Sequence, residues 1–196
     1  MPSNNTIRNF YQSAIEREFS RDFLFRVTDF NLGKLKLSEN DLVYVKTAKL
    51  PERTLENLPV KYMGMSFNLP GSVSYGEAAG YSLTFYCDSA AFLHQQFLKE
   101  SARTFNDATS TGSYDIAGPE RYLVLSQLDK QLIPIRDFKL VGASIRKVGN
   151  IDYNIAEGTG APVNFDVTIA YHYFEVSDLT APTRGEGPDT TPLFRT

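Results

Sequence analysis

The sequence predicts a mainly β protein, an antiparallel β-sandwich or barrel with one packed α-helix and a further helix at the N-terminus. Three observations carry that prediction. The 196 residues include 14 Phe and 11 Tyr but no Trp, an aromatic richness that favours sheet over helix. Several segments alternate between apolar and small polar residues, which is the period of a strand. The alternation leaves one polar face, as in antiparallel sheets wetted on one side; parallel sheets show continuous apolar runs instead.

In chain order, "TIRNFYQSAIEREFSRD" places Ile7, Phe10 or Tyr11, Ala14 or Ile15, and Phe19 at helical spacing, with Asn5 or Thr6 as cap. "FLFRVTDF" is a strand with Phe23, Phe25 and Val27 on one face, and Gly33 sits in a turn. "DLVYVKTAKL" reads as the next strand, ending before Pro51. A long connection from Pro51 to Pro59 then leads into "YMGMSFNL", where Met63, Met65, Phe67 and Leu69 share one face and Ser66 and Asn68 the other. "YSLTFYCD" sets Tyr81, Leu83, Phe85 and Cys87 opposite Ser82, Thr84, Tyr86 and Asp88.

"SAAFLHQQFLKESARTF" is the internal helix, capped by Asp88 or Ser89, with Ala90, Leu93 and Phe97 as its apolar stripe. The small, polar 104–120 segment reads as a flexible loop. "RYLVLSQLD", a Lys130–Gln131 turn and "QLIPIRDFKLVGASIRKVG" follow. "PVNFDVTIAYHYFEV" reads as one strand: Val163, Phe165, Val167, Ile169, Tyr171 and Tyr173 alternate with Asn164, Asp166, Thr168, Ala170 and His172. Proline and glycine break up the end of the chain, which is expected to be extended. The organisation is thus an N-terminal helical arm (1–22), a β domain (23–177) and a C-terminal tail (178–196).

A chain of this length buries roughly 70% of its unfolded surface and needs no staple. The single Cys87 allows no internal bridge and is expected to be a buried, inert thiol in a reducing compartment. No apolar run approaches the ~20 residues of a membrane span, and no apolar signal core opens the chain. The expectation is a soluble, cytosol-made protein without membrane insertion. A net charge of −3 with scattered Lys and Arg argues against a grip on nucleic-acid phosphates.

Motifs for chemistry are lacking. His94 and His172 are too isolated to suggest a metal or a catalytic pair and are expected at solvated positions. "GTGAP" and "GEGP" lack the strand-to-helix setting of a phosphate loop. No catalytic residue, metal or cofactor is expected, and the chain does not read as an enzyme. The Pro51–Pro59 connection is the anomaly. It carries Leu55, Leu58, Val60 and Tyr62, too apolar for disorder and long for an unstructured loop, so a neighbouring surface is expected to cover it.

The stretch "KTAKLPERTLENLPVKYMGMSFNLPGSVSYGEAAGYSLTFYCD" is similar to the central segment of tail tube proteins of contractile-tailed bacteriophages. The matching features are Lys46 to Pro51, Leu58-Pro59-Val60, Tyr62 and Met63, Phe67 to Gly71, and Tyr81 to Asp88. "FDVTIAYHYFE", Phe165 to Glu175, looks like that family's last strand, and the helix bearing Phe97 falls at its helix. The resemblance covers roughly 23–176; the 104–120 loop and the tail depart from the shortest members.

The resemblance implies a virion protein whose hexameric rings stack into a hollow tube inside a contractile sheath, related to tubes of contractile injection systems and type VI secretion. It would be assembled in the host cytoplasm and conduct DNA during ejection without specific binding. Its partners would be itself, the sheath protein, a baseplate tube-initiator and a tail terminator. Pro51, Leu55, Leu58, Pro59, Val60, Tyr62 and Met63 would then be the inter-subunit loop. Ser66, Asn68, Ser82, Thr84, Asp88, Asn164, Asp166 and Thr168, on non-core faces, would line the lumen. Such a wall would lack the Lys and Arg that bind phosphate. Alternatives are a tube-initiating baseplate protein of the same fold and, in a different class, a monomeric small-ligand-binding β-barrel.

Overall fold

The computed structural model describes residues 4–17, 20–75, 80–113, 118–154, 156, 158 and 160–178. The expected Phe19 contact, part of the 104–120 loop and the tail beyond Asp178 lie outside them. In chain order the elements begin with α1 (Asn4–Arg17), β1 (Phe25–Leu32), β2 (Leu35–Lys36), α2 (Glu39–Leu42) and β3 (Val45–Thr47). β4 (Thr54–Tyr62), β5 (Met65–Ser74), β6 (Tyr81–Tyr86) and α3 (Phe92–Thr104) follow. β7 (Phe105–Asn106), β8 (Thr111–Gly112), β9 (Tyr122–Leu128), β10 (Pro134–Val141), β11 (Ser144–Val148), β12 (Asn164–Ala170) and β13 (Tyr173–Asp178) complete the series.

Two antiparallel sheets enclose one core. The five-stranded sheet runs β13-β10-β9-β1-β2, and the four-stranded sheet runs β11-β12-β6-β3. Inward positions of each strand supply the core: Val27 and Phe30 from β1, Leu83 and Phe85 from β6, Leu123 and Leu125 from β9, Phe165, Val167 and Ile169 from β12. Helix α3 adds Leu93 and Phe97, and the Phe97 ring meets Phe30, Phe85 and Phe165 at centroid distances of 5.7, 5.2 and 6.1 Å. This aromatic cluster fastens the helix to both sheets, since each such ring buries a large apolar surface in a specific geometry.

A bent ribbon joins the sheets. β10 pairs with β13 in the five-stranded sheet, while their continuations β11 and β12 pair in the four-stranded one. Both strands therefore turn the same corner, at Gly142 on one and His172 on the other. Gly142 has φ +72°, and a Cβ there would come within 2.0 Å of the His172 ring, so only glycine fits. The sequence reading of 163–175 as a single strand is corrected here. Core positions run Phe165, Val167, Ile169, Tyr171 and then Phe174, so the alternation slips by one at the corner and Tyr173 faces outward.

Other elements also depart from expectation. Alternation from Phe23 through Val27 slips at a β-bulge between Val27 and Asp29, which turns Phe30 and Leu32 inward, while Phe23 is exposed. The expected strand at 41–50 starts as a short helix instead. Ser38 and Asp41 form a reciprocal capping box for α2, leaving only Val45–Thr47 as strand. The 104–120 segment carries a small hairpin, β7–β8. The largest correction concerns the Pro51–Pro59 connection. It is not an irregular loop: β4 and β5 form a two-stranded hairpin of their own, separate from both sheets.

Candidate functional site: a projecting hairpin and a polar sheet face

The hairpin follows from its turn. Met63 and Gly64 have φ +47° and +78°, the double left-handed signature of a two-residue type I′ turn, whose twist matches that of paired strands. Register then pairs Tyr62 with Met65, Val60 with Phe67 and Leu58 with Leu69. These side chains share one face of the ribbon, and Lys61, Ser66, Pro59 and Asn68 share the other. Every residue of β4 is exposed, as is β5 up to Val73. An apolar face of Leu58, Val60, Tyr62, Met65, Phe67 and Leu69 is thus exposed, with no other described residue burying it.

The residues expected at an inter-subunit contact therefore share one element, except Pro51, which precedes it, while Met63 is at its tip. The hairpin's base is fixed. The Tyr81 hydroxyl, inside the core, donates to the Lys49 carbonyl, and the Tyr75 ring packs on Phe174 at 5.6 Å. Burial pushes the Tyr81 phenol well above its ordinary range, so it remains a donor at any ordinary pH.

The expected lumen residues divide. Ser82, Thr84, Asn164, Asp166 and Thr168 come together on the outer face of β6 and β12, where Thr84 pairs with Asp166 and Ser82 with Thr168. The Thr84 hydroxyl donates to Asp166 Oδ1 at 2.7 Å. With Lys147, Asn150 and Asp152 they line a polar cleft of about 300 Å³. Lys147 is a basic residue that the sequence reading did not place on this face; it arrives through β11, opposite Thr168. Ser66 and Asn68 are on the hairpin's polar face. Asp88 lies past the end of β6, where its Oδ1 accepts the Phe92 N–H at 2.9 Å. The helix starts later than expected: Ala91, in the left-handed region, is its N-cap, and Ala90, expected on the apolar stripe, is exposed in the turn before it.

His94 belongs to α3 and His172 to the corner between β12 and β13. His94 is not a solvated position: it is half-buried, edge-on to Phe165 at 5.1 Å, with Nε2 2.9 Å from the Gly149 carbonyl. His172 is exposed at the corner and donates its backbone N–H to Val141. Cys87 is half-buried against the core, its thiol donating to the Asp88 carbonyl. Among the described residues no group of three or more His, Cys, Asp or Glu could hold a metal ion, and no helix is long and apolar enough to cross a membrane.

A buried carboxylate escaped the sequence reading. Glu100 on α3 is only 2% exposed and receives Arg103 Nη1 at 2.8 Å and Arg121 Nη2 at 2.9 Å. Its position three residues after Phe97, on the apolar stripe, was the available signal. The Arg121 carbonyl in turn accepts the N–H groups of Gly142 and Ala143, so this ion cluster links α3 to the corner of the ribbon.

No protein-family model matches the chain, and no curated protein matches it in sequence. Solved structures do match. A chain of the anti-feeding prophage baseplate superposes with a TM-score of 0.58 at 16% identity, covering 82% of this chain and 96% of its own. A chain of the cap that terminates the anti-feeding prophage tube gives 0.58 at 8% identity, over 83% and 93%. A chain of the sheath–tube complex of PVC, an extracellular contractile injection system, gives 0.53 at 9% identity, over 91% and 100%. The chain thus shares its fold with chains of contractile injection system baseplate, cap and sheath–tube assemblies.

Proposed function

We propose that this chain is a structural subunit of a contractile tail or injection system, whose copies close into hexameric rings that stack as a hollow tube. The observation that carries this reading is the β4–β5 hairpin. An isolated two-stranded hairpin is at best marginally stable in water, and this one exposes a continuous apolar face. A second copy of the chain is the surface that would cover it, with Leu55, Leu58, Val60, Tyr62 and Met63 as contacts flanked by Pro51 and Pro59.

The four-stranded sheet supports the same reading. Six copies would provide about 24 strands, well above the number at which a barrel leaves an aqueous channel. Its outer face, with Ser82, Thr84, Asn164, Asp166 and Thr168, would form the bore; Ser66, Asn68 and Asp88 would line its continuation. Asp152 and Asp166 meet Lys147 there, and Lys46 lies over the Tyr86 ring on the same face, so the bore would carry scattered charges of both signs in place of the basic cluster that grips phosphate, and DNA would pass without being held. The arm 1–22 and tail 178–196 would add contacts between copies. The partners are a surrounding sheath protein, a baseplate tube-initiator and a terminator. The setting is a bacteriophage virion assembled in the host cytoplasm, and the role involves no catalysis and no cofactor.

Negative-stain microscopy of the purified chain, together with its light-scattering mass, tests the proposal. Rings or tubes with an open bore are expected, and Leu58→Asp should leave folded monomers. A chain that is monomeric at every concentration, and that baseplate extract does not polymerise, would sink the reading. The superposition on a baseplate chain motivates a second reading, a tube-initiator of the same fold. Single rings that never lengthen would favour it.

A further inference from the structure

Two exposed, large apolar residues of this molecule hold a backbone conformation that their side chains disfavour. Met63, at φ +47°, is 82% exposed at the hairpin tip, and Leu132, at φ +62°, is 62% exposed in the turn between β9 and β10. Glycine or asparagine suits either position, since the left-handed region costs an ordinary side chain about 1–2 kcal/mol. The β9–β10 turn is rigid in spite of this. Asp129 Oδ1 accepts the N–H groups of Gln131 and Ile133 at 2.8 and 2.9 Å, and the Asp129 N–H donates to the Ile133 carbonyl at 2.9 Å. The turn therefore presents Leu132 and the half-exposed Ile133 as a fixed apolar knob, with exposed Phe23 at the same strand end, where Leu128 N–H donates to the Leu24 carbonyl.

The knob and the base of the hairpin belong to opposite ends of β10. The knob precedes Pro134, whereas the hairpin's base packs by Tyr75 on Phe174, which pairs with Leu140. At about 3.3 Å per residue the ends lie on the order of 20 Å apart. A contact that repeats head to tail needs two different surfaces, one for each neighbour. Strain kept at an exposed position points to a use for the residue held there. Methionine also suits a contact surface, because its unbranched side chain adapts to what it meets.

Resting on the tube reading above, we infer that the Met63 tip of one copy seats on the Phe23–Leu132–Ile133 knob of the next, and that this pair forms the stacking contact. Cross-linking tests it. One protein carries Met63→Cys and Cys87→Ser, a second carries Leu132→Cys and Cys87→Ser, and the two are mixed with a short bis-maleimide under the conditions in which the unmodified chain assembles. The expected product is a covalent dimer in the mixture only, and a ladder of multimers from one chain bearing both cysteines. Assemblies that form without that product, or that cross-link within a single variant, overturn the inference and leave the tube reading standing. If the unmodified chain forms no assembly, the tube reading falls and takes the inference with it. Met63→Asn and Leu132→Asn supply a second measurement. Each relieves the backbone, so Tm should hold or rise while stacks shorten or vanish; stacks of normal length, or a lower Tm, would count against the contact.

Discussion

At Gly142 one methyl group decides whether the two sheets can share a ribbon. Gly142→Ala meets the His172 ring and a left-handed backbone together, and the backbone alone should cost about 1–3 kcal/mol. A urea titration should show the midpoint fall; an unchanged midpoint would mean that the corner relaxes freely. Glu100 is the second sensitive residue. Glu100→Ala leaves the Arg121 guanidinium buried without its carboxylate, a change worth about 3–5 kcal/mol in comparable pairs. A loss below about 1 kcal/mol in the same titration would show that solvent takes over the partner role. Tyr81 gives a pH prediction. Its folded pKa is raised by burial, so the unfolded chain releases that proton first, and the associated stability is complete below the unfolded phenol pKa and declines above it. Tyr81→Phe should flatten the decline in stability above about pH 10, where a free phenol ionises; an identical alkaline profile would refute this.

Among elements, β6 and α3 were legible because a single local rule decides each: strict alternation in the strand, and in the helix an apolar stripe of which Leu93 and Phe97 are buried, although Ala90 falls in the turn ahead of it. Legibility failed where the chain changes frame. The bulge after Val27 and the corner at His172 each shift the alternation by one residue, and nothing in the local composition of "RVTDF" or "AYHYF" marks the slip. The hairpin was hidden for another reason. Pro59 and Pro70 each lack an N–H, which demotes a run as a central strand, yet a two-stranded ribbon has an open side on both strands where proline is admitted. Five of the expected lumen positions could be read from two alternating strands, whereas Lys147 depended on how β11 enters the sheet. Because the hairpin's only ladder is its own, its amides should exchange quickly in the dispersed chain and become protected once copies assemble. Hydrogen exchange followed by mass spectrometry over 54–74 would detect this, and strong protection in the monomer would mean that the chain covers the hairpin itself.

For the whole molecule, the bent ribbon makes the two sheets one cooperative body, while the hairpin is an attachment that adds nothing to the core. β10–β11 and β12–β13 each contribute to both sheets, so neither sheet can open without pulling strands from the other. By contrast, no residue of β4 or β5 belongs to the buried core. A chain in which a short glycine-serine link replaces residues 54–73 should therefore keep a single unfolding transition. Shortening the connection changes closure entropy by only ~0.6 kcal/mol per twofold change in length, which for a domain of this size moves Tm by no more than a few degrees. The same chain should form no rings or stacks at any concentration. Calorimetry and microscopy on one preparation separate the outcomes. A collapsed or broadened transition would place the hairpin within the folding unit, and persistent rings would remove it from the assembly surface. An intact transition without assembly would mean that these twenty residues serve the contact between copies and little else.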